Sequence, residues 1–585
     1  MDLLLAHGDD GSPMFDRQAD PGTAATEATP VARRAEKFLA DITADASDLV
    51  RQGWTIVVSD DAAGARLAAV MRELVAARAE DQRADVVALR VRPGMTAAET
   101  TEWKKDVYPA LYGEDEARRP RYLLILGDLD QVSLDTQQVL AQDGLVGRLA
   151  CATEAGYGAY ADKVLASQRR PSTAERARAV FYTVHDGTAA TAAGHRKLIQ
   201  PCHDRCARTA ADKPRAFPAS SVEARGAQTP DPGELLALAA ARHPSVLLSM
   251  SHGMGPPRRR RWSPAEARLR QGAMSFGSEG ALDAAGVASV PFLPGGIWIY
   301  FACFGAGTPR TSAYHHWLEM LAREGMDELG PVTEALRGLD GGGGFVSGLA
   351  KAALANPDGP LAVLGHVDLA WSYSYEELRV DRDARDARRI SGSNRSLNFF
   401  QLMTKLVAGE RAGAAALALR LQLGAVGDEL TTHYDRCKRA GSVEGATPAD
   451  LLALGNLWML RQDLLGFALL GDPAVRLPLA STAARAAGVA PVALPVALPD
   501  RSPHGVEVAA RQADSGAAGA GGDPAMLDRF EQAALAIARG DSAGVAAAEL
   551  GVPRSEVVEA AEIYCAAGRA ALASLLARRA KENPG

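Results

Sequence analysis

The chain is 585 residues long, 47% hydrophobic and 23% charged, an ordinary balance for a soluble globular protein with room for two or more cores. Its net charge of −7 argues against a general nucleic-acid binder, and no apolar stretch reaches the roughly 18 residues needed to span a membrane. The opening Met1-Asp-Leu-Leu-Leu lacks the basic and apolar regions of a secretion signal, and six cysteines in so long a chain do not read as a disulfide framework; both point to a reducing, cytoplasmic setting.

In chain order, residues 1–36 are rich in Ala, Asp, Pro and Thr without periodicity and are expected to be a disordered arm. An α/β subdomain is expected over 37–165, with strands at Trp54–Ser59, Val86–Val91 and Arg121–Leu126 and an amphipathic helix at Ala62–Ala77. A second series over 166–380 carries strands at Ala179–Val184, Val246–Ser251, Ile297–Ala302 and Leu361–Leu364. Strands alternating with helices predict parallel sheets covered by helices, here as two stacked α/β subdomains. Gly341–Gly344 opens a helical stretch over Phe345–Leu354; without a following Gly-Lys-Ser/Thr it reads as a loop near the active site and not as a phosphate cradle. Residues 381–480 are expected to form a helical region, the helical pattern running from Asn394 to Leu470 with Phe399, Leu402, Leu406 and later Leu417, Leu419 and Leu421 as its apolar face. An Ala-, Pro- and Gly-rich linker over 481–525 and a helical segment over 526–585 complete the chain.

Two of the predicted strands end in reactive side chains. Val246–Ser251 delivers His252 followed by Gly253, and Ile297–Ala302 delivers Cys303 followed by Phe304 and Gly305. Catalytic groups gather beyond the carboxyl ends of parallel strands. A thiol with a pKa of about 8.5 is only a few per cent thiolate at neutral pH, and an adjacent imidazole that takes its proton makes it a competent nucleophile. Lacking a Cβ, Gly253 allows close backbone approach, so its N–H and that of Cys303 are candidates for an oxyanion hole. Cys202, His203 and Cys206 have no second pair at metal-ligand spacing, so neither a metal nor another cofactor is expected.

From Tyr122 to Leu479 the sequence resembles gingipain-like cysteine peptidases of the caspase-type clan, and more loosely the bacterial CHAT proteases. The resemblance rests on blocks in the family's order: Tyr122-Leu-Leu-Ile-Leu-Gly-Asp128, Val146-Gly-Arg-Leu149, His252-Gly253, Ala302-Cys303, Gly359-Pro-Leu-Ala-Val-Leu-Gly365, Trp371-Ser372 and Leu470-Gly-Asp-Pro473. It implies a caspase-like parallel-sheet sandwich in two α/β subdomains, closed by the helical region and followed by the helical tail. It further implies a Cys303 nucleophile, His252 as general base and acid, and Trp371 in the substrate pocket. An acidic pocket residue is implied between the Gly-Asp and Gly-Arg blocks, where Asp135 and Asp143 lie; Asp368, three residues before Trp371, is the other candidate.

The expected activity is hydrolysis of peptide bonds in protein or peptide substrates through a thioester acyl-enzyme, regulated inside the cell. No membrane or nucleic-acid partner is expected. The tail is a candidate dock for a regulatory protein, and Arg258–Arg261, just after the histidine, is read as a solvated cationic loop. A cysteine at a strand end also suits a small buried hydrophobe, so a catalytically silent caspase-like scaffold that binds partners stands as the alternative.

Overall fold

The computed structural model describes residues 45–113, 118–169, 173–226, 230–256, 262–323, 330–337, 343–381, 388–439 and 448–480. The arm over 1–36, Arg258–Arg261, the linker over 481–525 and the helical segment over 526–585 lie outside the described residues.

Ten strands build one sheet: β1 (Trp54–Ser59), β2 (Leu89–Val91), β3 (Tyr122–Leu126), β4 (Leu145–Leu149), β5 (Ala177–Thr183), β6 (Ala219–Arg225), β7 (Ser245–Met250), β8 (Ile297–Phe301), β9 (Ala362–His366) and β10 (Phe467–Leu470). Their order is β2-β1-β3-β4-β10-β9-β8-β7-β5-β6. Pairing is parallel from β2 to β4 and from β9 to β6, whereas β10 runs antiparallel to β9. β1, β3, β7, β8 and β9 are buried along their whole length, which is why they read in the sequence as continuous apolar runs without alternation. The two α/β halves thus meet edge to edge within one mostly parallel sheet, followed by helices. Among the described residues, no helix is long and apolar enough to cross a membrane.

Three local expectations are corrected. The helix expected over Ala62–Ala77 is two, α1 (Ala62–Val70) and α2 (Arg72–Gln82), broken where the buried Met71 turns into the core. The helix expected from Phe345 starts at Gly348 as α3 (Gly348–Ala355), because Phe345–Val346 pairs with Gly307–Thr308. The pattern read as helical to Leu470 is α4 (Ser396–Val407), α5 (Ala412–Arg439) and α6 (Pro448–Leu465), and then strand β10. On α5, Leu419 is buried but Leu421 is 57% exposed; residues two apart do not share a helix face.

The motif after β10 locks the halves together. Asp472 is fully buried and accepts from Trp54 Nε1 (2.9 Å), from Arg78 Nε (2.8 Å) and from Ala474 N (2.9 Å), while its own N–H donates to Tyr160 Oη (2.7 Å). That hydroxyl donates in turn to Leu361 O beside β9. Gly147 is required here: a Cβ on it would stand 2.3 Å from Gly471 O. A second clamp starts from the turn after β3. The buried Arg148 guanidinium binds Gly127 O, Asp128 O and Val132 O, and Asp128 accepts from Val346 N (2.6 Å) and pairs with Lys351 on α3.

Candidate active site

Registers place the reactive groups side by side. Thr183, Met250 and Phe301 are aligned across β5, β7 and β8, so Asp186, His252 and Cys303 follow at two to three residues beyond three neighbouring strand ends. The closeness of the last two is set by Gly253, where a Cβ would stand 1.8 Å from Cys303 O. No other residue fits. Neither the Gly253 nor the Cys303 N–H donates to another residue among those described; the Cys303 N–H acts on its own thiol.

Asp186 was not singled out in the sequence, yet it organises the histidine. Its carboxylate is buried at 3% exposure and accepts at Oδ1 from Thr188 N (3.1 Å), Thr188 Oγ1 (2.8 Å) and Thr191 Oγ1 (2.7 Å). Burial alone would raise its pKa, but these three bonds, with the nearby His252, hold it below the usual carboxylate range. The Thr188 hydroxyl also lies 2.9 Å from His252 Nε2, and Asp186 Oδ2 lies 3.9 Å from the same atom. A carboxylate only accepts, so the hydroxyl proton goes to Asp186 and the hydroxyl lone pair must accept from His252 Nε2–H. In the neutral imidazole that assignment makes Nδ1 the acceptor nitrogen, the one a general base would use. The imidazole itself is 44% exposed and open to substrate.

Cys303 sits in a strained turn. Phe304 has φ 58° and Asp368 has φ 99°, both unusual for residues with a side chain, and the Phe304 N–H donates to Asp368 O (2.8 Å). The half-buried thiol receives the Ala370 N–H (3.3 Å). Burial pushes its pKa up to about 11; the Ala370 N–H opposes the rise, and Asp368 and Asp463 add to it. At that pKa Cys303 is a neutral thiol, with roughly one part in a thousand as thiolate at pH 8. Alkylation of Cys303 by iodoacetamide, followed peptide by peptide in a mass spectrometer, should rise about tenfold per pH unit from 7 to 10. A plateau near neutral pH would instead reveal a preformed thiolate–imidazolium pair.

The expected acidic pocket residues are distributed differently. Asp368 reaches the correct strand end, after β9, but its carboxylate is buried and filled: Oδ1 accepts from Ser312 Oγ (2.7 Å) and Leu369 N (2.8 Å), and Oδ2 from Ala313 N (2.8 Å). Asp143 lies at the amino end of β4 and is paired with Lys104. Asp135 is exposed, accepts from Ala97 N (3.2 Å), and lines a cleft of about 560 Å³ with Asp130 and Arg310. None of the three offers a free carboxylate beside Cys303. Trp371 is beside it, packed with Trp317 and Tyr314 at ring-centroid distances of 5.8 Å each, in an apolar cluster that Cys303 adjoins.

Cys202 and Cys206 are buried in the core on the helix Gln200–Asp212, as packing thiols. Among the described residues, no group of three or more His, Cys, Asp or Glu side chains is placed to hold a metal ion.

No family model matches the chain, and no curated protein matches it in sequence. Solved structures do, distantly. A structure described only as a protease aligns over 72% of this chain and 78% of its own, at 11% identity and a TM-score of 0.41. The Arg-specific cysteine proteinase gingipain R aligns over 73% and 78%, at 11% identity and 0.39. The complex of Porphyromonas gingivalis RgpB pro- and mature domains aligns over 73% and 80%, at 11% identity and 0.37.

Proposed function

We propose that this chain is a cysteine endopeptidase of the caspase type, with Cys303 as nucleophile, His252 as general base and acid, and Asp186 acting through Thr188 to orient the imidazole. The observation that carries the reading is the Asp186–Thr188–His252 chain beyond β5 and β7, with Cys303 beyond the next strand, β8. On binding a peptide, His252 Nδ1 takes the thiol proton as Sγ attacks the scissile carbonyl, and the developing oxyanion is met by the Gly253 and Cys303 N–H groups. The imidazolium returns the proton to the leaving amine, and a thioester remains. A water molecule, deprotonated by the same nitrogen, then releases the acid and restores the thiol. Direct base catalysis suits a thiol whose pKa lies near 11, since no standing ion pair is required.

That raised thiol is also the observation favouring the silent scaffold, in which Cys303 is merely a packed residue. A peptidyl acyloxymethyl ketone separates the two, because it alkylates a cysteine only where a neighbouring acid–base group and a peptide-binding surface assist. Labelling at Cys303 that disappears in His252→Ala is expected; labelling equal to that of Cys151 would leave the scaffold standing. Asp186→Asn keeps the shape but weakens the hold on the Nε2–H tautomer, and should lower kcat by about 10²-fold or more with KM little changed.

A further inference from the structure

Four aromatic residues form a wall next to Cys303. Tyr314 and Trp371 come from the loops after β8 and β9, Trp317 from the helix His315–Arg323, and Trp458 from α6. Tyr314 stands 5.8 Å from Trp371 and 6.0 Å from Trp458, and Trp317 stands 5.8 Å and 6.5 Å from the same two rings. Trp317, Trp371, Trp458 and Cys303 are only partly buried, and all four pack against the same apolar cluster.

Two buried carboxylates hold this wall. Asp368 fixes the Ser312–Tyr314 turn through Ser312 Oγ and Ala313 N, and Ser312 Oγ in turn accepts from Tyr314 N (3.2 Å). Asp463, fully buried on α6, accepts from Trp371 N and Ser374 N, both at 2.8 Å. Both carboxylates are thus spent on donors of the fold itself, backbone N–H groups and the Ser312 hydroxyl. Tyr314 is 1% exposed, however, and its hydroxyl finds no hydrogen-bond partner; neither does the buried Trp371 Nε1–H. Buried polar groups are normally paired, so two orphans on one aromatic wall beside a nucleophile mark a place where a ligand supplies the partners.

We infer that this wall is the subsite for the substrate side chain preceding the scissile bond, and that it takes an uncharged carboxamide side chain, glutamine or asparagine; the inference rests on the peptidase reading. The chemistry selects the class. Trp371 Nε1–H only donates and needs an acceptor such as a carboxamide oxygen, while the carboxamide NH₂ suits the Tyr314 oxygen. A planar amide also stacks between flat rings. A basic side chain finds no open carboxylate, and an acidic one is set against Asp368 and Asp463.

Binding can be read apart from catalysis. In the full chain carrying Cys303→Ala, intrinsic tryptophan fluorescence is titrated with peptides that differ only in the residue before the scissile bond: Gln, Asn, Met, Arg or Asp. The Gln or Asn peptide should bind about tenfold tighter than the Met peptide, with Arg and Asp weaker still. Tyr314→Phe and Trp371→Phe should each cut the ratio of carboxamide to Met affinity from about tenfold to near one, with circular dichroism matching the parent to report that the fold is intact. A preference for Arg or Asp, a carboxamide preference that survives both substitutions, or no saturable binding would overturn the assignment. A protein that binds the carboxamide peptides selectively yet hydrolyses nothing when Cys303 is present would keep the subsite and refute the peptidase reading alone.

Discussion

Cys303→Ala and His252→Ala should each reduce peptide-bond hydrolysis by at least about 10³-fold, and the double variant should be no worse than either single within experimental error. The reason is sequential dependence. Without the thiol, the imidazole has nothing to deprotonate; without the imidazole, a thiol with a pKa near 11 is almost wholly protonated at neutral pH. Groups that act as one unit lose their effect together, so the free energies do not add. Neither side chain is structural in the sense that Asp472 is: His252 is exposed at the ring, and Cys303 is only partly buried at the margin of its apolar cluster. Circular dichroism of all three variants should match the parent. The measurement is turnover of a peptide library by the four proteins, and additive losses would rule out a dyad. The same series at pH 9.5 adds a second check. The thiolate fraction rises with pH, so His252→Ala should recover part of its lost rate there, whereas Cys303→Ala should not.

How much of this site was legible depended on whether the signal was local. His252 and Cys303 could be read because each follows a short, wholly apolar run, and a strand buried on both faces prints such a run directly into the sequence. Asp186 lies beyond a strand end too, in His185-Asp186-Gly187 after the run ending at Val184. The same rule would have flagged it. What no local pattern could show is Thr188 bridging it to a histidine 64 positions away. Asp368 illustrates the opposite failure. Spacing put it at a strand end, but the direction of its side chain follows from a positive φ and from the donors of Ser312 and Ala313, and these turn it inward to hold the wall instead of outward to bind substrate. β10 was hidden for a third reason: four apolar residues one position after a helix continue the helical pattern until the Gly471 turn, and it is the pairing with Val363–His366 on β9, and of Leu470 with Arg148 on β4, that makes them a strand.

Asp472→Asn should be the most destabilising single polar substitution at the junction of the two halves, by about 3–5 kcal/mol, because it breaks a buried charge pair from one side. The Arg78 guanidinium is completely buried and lies 2.7 Å from Asp472 Oδ2, with Asp81 Oδ2 as its other anion, also at 2.7 Å. Burial by itself would depress the pKa of Arg78, and the two carboxylates reverse that, so the arginine stays charged. An asparagine in place of Asp472 can still accept from Trp54 Nε1 and Ala474 N through its oxygen, but its NH₂ then faces the Arg78 donors. The buried cation is left with one partner at the solvent side and a repelling dipole at the other. Arg242→Ala is the matched control: its ion pair with Asp358 is similar in distance, at 2.9 Å, but the arginine side chain is 69% exposed, and such pairs contribute about 0–1 kcal/mol. Urea unfolding of the full chain, followed by the fluorescence of Trp54 and its neighbours, should therefore show a much lower midpoint for Asp472→Asn and almost none of that shift for Arg242→Ala. Equal shifts in the two variants would mean that the Leu470-Gly-Asp-Pro473 turn does not hold the halves together through charge. The part of the Asp472→Asn sample that remains folded should keep the parent's kcat, since the pair touches neither His252 nor Cys303.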